Sequence, residues 1–247
     1  MKKIQLNTIS TKAPMGLNRE VYDIKLDKLQ KEMFQLQHKL YASQKYGLLI
    51  IFQGMDTSGK DSTIRQVFSY LDPLGVQASS FKTPSDIELK HDYMWRIFQK
   101  LPEKGMIQVF NRSYYEDILV PAIQKTKPKN VIVKRYDFIN AFENHLLNNE
   151  TIILKFFLHI SKNEQKKRIQ ERLNDPFKKW KYSDEDVKAS KKWDMYAKVY
   201  EDIIYKCSTD IPWVIVPSDT KWYRNYMVAS LIVKRLKELS LKYPNSK

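Results

Sequence analysis

Apolar residues along this chain fall into two rhythms, and the switches between them mark the expected elements. Over residues 19–46, Val21, Ile24, Leu26, Leu29, Met33, Leu36 and Leu40 recur at roughly helical spacing among Lys, Asp and Gln. This predicts a long amphipathic helix, packed on the domain or on another subunit. The 18 residues before it read as irregular. At Gly47 the rhythm changes to a short continuous apolar run, GLLIIF, suited to a strand buried on both faces of a parallel sheet. A weaker run of this kind lies at 76–81, and stronger ones at 106–110, 151–160 and 213–216. Helical patterns fill the intervals at 62–71, 87–101, 131–147 and 161–173, with a last helix over 221–241. Ser161 and Glu164 have capping-box spacing at the start of the fourth of these.

Strands alternating with helices predict an α/β chain: a doubly wound parallel sheet of about five strands between two helical layers. The whole of 1–247 reads as a single domain, without internal repeats. Residues 174–207 interrupt the alternation, being too long for a simple helix-to-strand connection. They are rich in Lys and aromatics and can hold one or two helices. Together with the residues before them they form an expected basic helical lid over 166–207. Between Lys166 and Lys181 this lid carries seven basic residues (Lys166, Lys167, Arg168, Arg172, Lys178, Lys179, Lys181) against two acidic ones. Arg168 and Arg172, four apart, share a helix face.

Composition narrows the classes. At 43% hydrophobic residues, with 6 Gly and 10 Pro, the chain is neither disordered nor of low complexity. A single cysteine, Cys207, excludes an internal disulfide and a cysteine zinc cluster, and leans toward a reducing compartment. No apolar run approaches the roughly 20 residues of a membrane span, and the two N-terminal lysines have no apolar core behind them. A soluble, cytoplasmic protein without a membrane partner is expected. The four histidines form no close-spaced pair, and His159, in an apolar strand, reads as structural. The 43 Lys and Arg against 28 Asp and Glu leave a net charge of +15. That excess fits an anionic partner, or simply a solvated lysine surface.

The sharpest chemical signal is Gly54-Met55-Asp56-Thr57-Ser58-Gly59-Lys60-Asp61-Ser62, directly after the first apolar strand and before a helix. Its G-x-x-x-x-G-K core is that of a phosphate-binding loop. The glycines let the backbone curl so that N–H groups face phosphate oxygens; the helix N-terminus adds partial positive charge and Lys60 a full one. Asp61 stands where such loops commonly carry Ser or Thr, and Asp56 adds a second carboxylate. Two carboxylates beside a phosphate cradle repel their ligand unless a divalent cation lies between, which implies Mg²⁺ (or Mn²⁺) with Asp56 its favoured ligand. Asp61 also suits a helix N-terminus on its own account.

A second motif, Asn111-Arg112-Ser113-Tyr114-Tyr115-Glu116-Asp117, follows the 106–110 strand. In a doubly wound sheet it should face the phosphate loop, since ligands sit at the carboxyl ends of strands. GMDTSGKDSTIR at 54–65, SFKTPS at 80–85, FNRSYYEDILV at 110–120 and KKRIQERLNDPFKKWKYSDEDVKASKKWDMY at 166–196 together resemble the polyphosphate kinase 2 family. The resemblance runs in order from about residue 20 to 235. It implies a P-loop kinase fold related to thymidylate kinases and Mg²⁺-dependent, reversible transfer of the terminal phosphoryl group of polyphosphate to AMP or ADP, or to GMP or GDP. It also implies a homodimer or homotetramer. By the same resemblance Lys60 binds the transferring phosphate, Asp56 binds magnesium, Arg112 contacts phosphate at the reaction centre, and Arg172 closes over polyphosphate. Asn111 departs from the Asp of many members and so loses one charge for a metal. Glu116 stands where diphosphate-specific members tend to have Asn, and marks acceptance of AMP as well as ADP.

The residues themselves agree with a linear polyanion. Phosphoryl transfer asks chiefly for positioning and charge neutralisation. Lys60, Lys82, Arg112, Arg168, Lys178 and Lys181 supply a basic trough, which a closing lid would shield from water. Trp180, Tyr182, Trp193 and Tyr196 could stack on a base or pack the lid. Two other classes stay open at this point. An ATP-dependent nucleoside or nucleotide kinase of the thymidylate-kinase sort is permitted by the loop, though the acidic loop and basic lid speak against it. A nucleic-acid-binding protein would use the +15 charge, but no recognised nucleic-acid-binding module is present.

Overall fold

A computed structural model describes residues 3–177, 179–181 and 183–244. After a short 3-10 turn at Leu6–Thr8 come α1 (Arg19–Ser43), β1 (Gly47–Gln53), α2 (Lys60–Val67), β2 (Val76–Ser80), α3 (Asp86–Leu89), α4 (Trp95–Phe98) and β3 (Ile107–Asn111). There follow α5 (Glu116–Gln124), α6 (Lys129–Asn148), β4 (Thr151–His159), α7 (Lys162–Asn174), α8 (Asp184–Lys191), α9 (Trp193–Lys206), β5 (Trp213–Pro217) and α10 (Lys221–Glu238). The five strands form one parallel sheet in the order β2-β3-β1-β4-β5. Their positions match the apolar runs to within a residue or so.

The unbroken apolar character of β1 follows from its central place. Leu48, Ile50 and Phe52 pack into a core formed with α1, α2 and α10; Leu49 and Ile51 point into a second core with α5, α6 and α9. Alternate residues of a strand face opposite sides, so both phases must be apolar when both faces are covered. Helices on both faces complete the expected three layers. The weak run at 76–81 becomes β2, an edge strand with exposed residues.

α1 lies on the domain itself, along α10, burying Leu26, Met33 and Leu40. Two glutamines share its inner stripe because each satisfies backbone: Gln30 Nε2 donates to Gln66 O at 2.6 Å, and Gln37 Nε2 to Asp72 O at 2.8 Å. Val21 and Ile24, part of the predicted stripe, are exposed.

Several helices differ from expectation. The 87–101 pattern divides into α3 and α4, because Asp92 turns the chain by accepting Met94 N at 2.9 Å on its side chain and Trp95 N on its carbonyl. α5 has no predicted counterpart and contains Pro121. A proline has no N–H, so the i−4 carbonyl loses its helical donor; here that carbonyl, Asp117 O, accepts from Arg135 Nη1. At the start of α7, Ser161 Oγ accepts from Glu164 N at 3.1 Å as a cap should, but the Glu164 carboxylate pairs forward with Arg168 instead of completing the box.

Residues 174–207 hold a 3-10 turn, α8 and α9. α9 is largely core: Tyr200, Ile203, Ile204 and then Cys207 are buried, and Trp193 and Tyr196 pack against the same cluster. Trp180 is exposed; Tyr182 lies outside the described residues. Cys207 is a free, buried thiol, pushed up to about 12 chiefly by burial. The first residues are tied down. His159 Nε2 meets Leu6 O at 2.9 Å and Ile9 O at 3.2 Å, and Leu6 N donates to Glu201 at 2.8 Å. Among the described residues no helix is long and apolar enough to cross a membrane.

Candidate active site

The loop between β1 and α2 is shaped by three backbone positions on the left-handed side: Gly54 (φ 148°), Thr57 (φ 63°) and Gly59 (φ 102°). A Cβ on Gly54 would stand 2.6 Å from Leu158 O, so the loop's approach to β4 admits only glycine there.

Every carbonyl from Gly54 to Gly59 is held by a protein donor. Gly54 O accepts from Lys60 Nζ at 2.8 Å and Tyr200 Oη at 3.2 Å; Met55 O accepts from Lys60 Nζ at 3.2 Å. Asp56 O accepts from Gln165 Nε2 at 3.0 Å, and Thr57 O from Arg168 Nη1 at 3.0 Å. Ser58 O receives Arg168 Nη1 at 3.4 Å and Arg224 Nη1 at 3.2 Å, while Gly59 O receives Thr63 N at 2.9 Å. Four of these donors, Gln165, Arg168, Tyr200 and Arg224, lie more than a hundred residues away in sequence, and only Arg168 was singled out from the pattern.

Beside the loop opens a cavity of about 320 Å³. Of the expected residues, Asp56, Thr57, Gly59, Lys60, Asp61, Ser62, Lys82, Asn111, Arg112, Arg168 and Arg172 line it; Ser80, Glu171, Asp186 and Lys221 join them without having been predicted. Among the described residues, six cationic side chains thus face four carboxylates. Gly54, Met55 and Ser58 build the loop without lining the cavity, and Met55 contributes to a second cavity on the far side. Lys178 and the Lys181 side chain lie outside the described residues.

Three expected roles look different in detail. Lys60 is buried with its ammonium on loop carbonyls; burial and then Arg112 lower its pKa, against the pull of Asp56, Glu116 and Asp61. Arg168 reaches the cavity wall, but its guanidinium is occupied by Glu164 and by the carbonyls of Thr57, Ser58, Ser218 and Asp219. Its place is behind the loop, as a clamp. Asn111 Nδ2 donates to Asp61, so the amide at this position satisfies a loop carboxylate that an Asp would repel.

The second motif does face the loop. Arg112, itself in the left-handed region (φ 65°), donates from Nη2 to Asp56 Oδ1 at 2.9 Å. Burial opposes its charge, but Glu116 and Asp56 outweigh that and hold the guanidinium firmly protonated. Glu116 lies behind Arg112 and accepts from Gln53 Nε2 at 3.2 Å. Burial raises its pKa, with Arg112, Lys60 and the Gln53 bond opposing. Below the motif, Tyr114 and Tyr115 each donate to Glu143 Oε1 at 2.7 Å, and Glu143 Oε2 pairs with the buried Lys155 at 2.5 Å. From the lid side, Arg172 Nη1 donates to Asp186 Oδ2 at 2.7 Å. Burial and Asp56 raise the Asp186 pKa.

A curled loop with outward-held carbonyls, a buried lysine and a basic wall at the carboxyl ends of a β2-β3-β1-β4-β5 sheet define a P-loop phosphotransferase. The family model of polyphosphate kinase 2 (PPK2) matches residues 16–244. The chain belongs to that family. It is 44% identical to the AMP/ADP-polyphosphate phosphotransferase of Meiothermus ruber, across 87% of this chain and 81% of that protein. It is 40% identical to the ADP-polyphosphate phosphotransferase of Rhodopseudomonas palustris, across 99% of this chain and 90% of the relative. Its fold is similar to the crystal structure of polyphosphate kinase 2 from Arthrobacter aurescens TC1, with a TM-score of 0.95, 37% identity and coverage of 99% and 89% of the two chains.

Proposed function

We propose that this chain transfers the terminal phosphoryl group of inorganic polyphosphate to AMP and to ADP, and runs in reverse from a nucleoside triphosphate. The observation that carries this reading is the cavity wall: Lys60, Lys82, Arg112, Arg172 and Lys221 come from five different segments and converge on the loop. A linear polyanion can engage all of them together. This spread of charge around one cavity favours polyphosphate over ATP as donor, and a recessed site over a nucleic-acid surface.

The donor set suits Mg²⁺, which takes one or two carboxylates and completes its shell with phosphate oxygens and water. Asp56 is the favoured ligand, and Asp61 or Asp186 can supply a second carboxylate from the same wall. No three-residue cluster of His, Cys, Asp or Glu suited to a metal occurs among the described residues, in keeping with an ion held partly by substrate. When bound, the ion neutralises phosphate charge and orients the transferring group.

The remaining work falls to the chain. Lys60 turns from the loop carbonyls to the transferring phosphate, and Arg112, held in place by Asp56 and kept charged by Glu116 as well, stabilises the charge that develops there. Arg172 brings the lid onto the polyphosphate. Glu116 bears on the acceptor through Arg112, whose charge it favours, and Lys82 adds a cation to the same cavity wall. We further propose a homo-oligomer, from family membership.

Incubating the protein with AMP, long-chain polyphosphate and Mg²⁺, with no ATP, tests this directly, with Lys60→Ala as the control. ADP followed by ATP is the expected product sequence. ATP from ADP but nothing from AMP would retain the donor and discard the double acceptor; a requirement for ATP as donor would overturn the reading. Glu116→Asn is expected to lose AMP as acceptor while keeping ADP.

A further inference from the structure

Two guanidinium groups sit buried behind the phosphate loop, and they differ in one respect. Arg168 has a carboxylate partner, Glu164, at 2.8 Å. Arg224, on α10, is only 1% exposed, and its hydrogen bonds end on neutral oxygens. Nη1 donates to Ser58 O at 3.2 Å, Nη2 to Ser62 Oγ at 3.1 Å, and Nε to Asn225 Oδ1 at 3.2 Å. Among the described residues no ion pair includes Arg224. A buried charge without a counter-charge is costly, and neutral donors could make the same hydrogen bonds. Burial, and then the neighbouring Arg168, push its pKa down to about 9.

The loop is built to admit this charge. A Cβ on Gly59 would lie 2.0 Å from Arg224 Nη1 and 2.9 Å from Cζ, so the second motif glycine clears the guanidinium as well as turning the chain. The residues that Arg224 grips, Ser58 and Ser62, bracket Gly59 and Lys60. Ser62 lines the cavity on its other side.

We propose that Arg224 is a positioning residue whose unpaired charge is the standing counter-charge of the phosphate chain, balanced from behind the loop only when polyanion fills it. The proposal rests on the phosphate-binding reading of the cavity. It explains why a cation stands where the empty protein gains nothing from its charge. Charge behind the loop acts through a water-poor medium, where it is weakly screened. Its direct grip on Ser58 and Ser62 keeps the loop in its binding shape.

The test compares the wild-type chain with Arg224→Gln, which keeps donors but not charge, and Arg224→Lys, which keeps charge but not the fork. Binding of long-chain polyphosphate without nucleotide is measured across a salt series, with melting temperatures alongside. Arg224→Gln is expected to melt no lower than wild type when unliganded, yet to bind polyphosphate about tenfold more weakly. Its logarithmic salt slope should be shallower by about one. Arg224→Lys should recover most of the affinity and the full slope. The polyphosphate KM should rise in the Gln variant while the nucleotide KM stays put, which a general loss of structure would not produce.

Wild-type affinity in a folded Gln variant overturns the proposal, as does equal loss in Gln and Lys variants, which would make the fork and not the charge decisive. Should the Gln variant fail to fold, Arg224→Met takes its place as the charge-removing variant: a shallower salt slope and weaker binding uphold the proposal, and wild-type affinity and slope overturn it. Wild-type protein that fails to bind polyphosphate at all would instead strike the proposed function.

Discussion

Arg112 Nη2 stands 2.9 Å from Asp56 Oδ1, so the motif that follows β3 is fastened to the loop that follows β1. The two strands are neighbours in the sheet, and this ion pair fixes their carboxyl ends against each other at the cavity. Asp56 therefore holds Arg112 and, in the proposed function, also supplies a metal ligand. Asp56→Asn keeps a hydrogen-bond acceptor for Arg112 and removes charge. We expect kcat to fall by roughly two orders of magnitude, with half-saturating Mg²⁺ raised about tenfold. A variant with wild-type metal dependence would take Asp56 out of the metal site.

The Arg172–Asp186 pair sets a carboxylate on the cavity wall, where the proposed polyanion would meet it. Asp186→Asn removes that repulsion and loosens the lid arginine. Its expected effect is a polyphosphate KM lower by about threefold, read from initial rates at fixed nucleotide. A higher KM together with a greater need for Mg²⁺ would make Asp186, and not Asp61, the second carboxylate on the metal.

Beneath the second motif, Lys155 is fully buried and depends on Glu143, Cys207 O and Tyr115 Oη for compensation. Lys155→Met leaves Glu143 as an uncompensated buried charge and should cost about 3–5 kcal/mol in chemical unfolding. The double variant with Glu143→Leu should cost less than the sum of the two single changes, since each single change strands the other's charge. Additive losses would show that the pair is not coupled.

His159 supplies the pH test. Burial lowers its pKa, the bonds to Ile9 O and Leu6 O only partly opposing. The unfolded chain then takes up this proton at higher pH than the folded one. The contribution of His159 is intact above the ordinary histidine range near pH 6.5 and is lost as pH falls from there toward the folded pKa. Between pH 7 and 5 the wild type should lose more stability than His159→Gln, with residues 3–12 the first to gain amide exchange. Parallel stability curves for the two proteins would remove His159 from the acid response.

Local pattern alone determined the five strands, the phosphate loop and the second motif. A strand covered on both faces must be apolar in both phases, and a backbone curled around phosphate needs glycine where φ turns positive. These demands act within a few residues and leave a written trace. α3, α4 and α5 were less legible, because Asp92 and Arg135 satisfy backbone in ways that helical periodicity does not encode.

Tertiary structure decided which charges face the cavity and which stand behind the loop. Arg168 and Arg172 lie one turn apart on α7 and look alike in sequence, yet one clamps loop carbonyls while the other pairs with Asp186 at the cavity wall. Arg224 carried no signal, being one basic residue among 43. Its importance comes from burial against Ser58 and Ser62, more than 160 residues earlier in the chain. The worth of a charge depends on the solvent and partners around it, and those are fixed only when distant segments pack together.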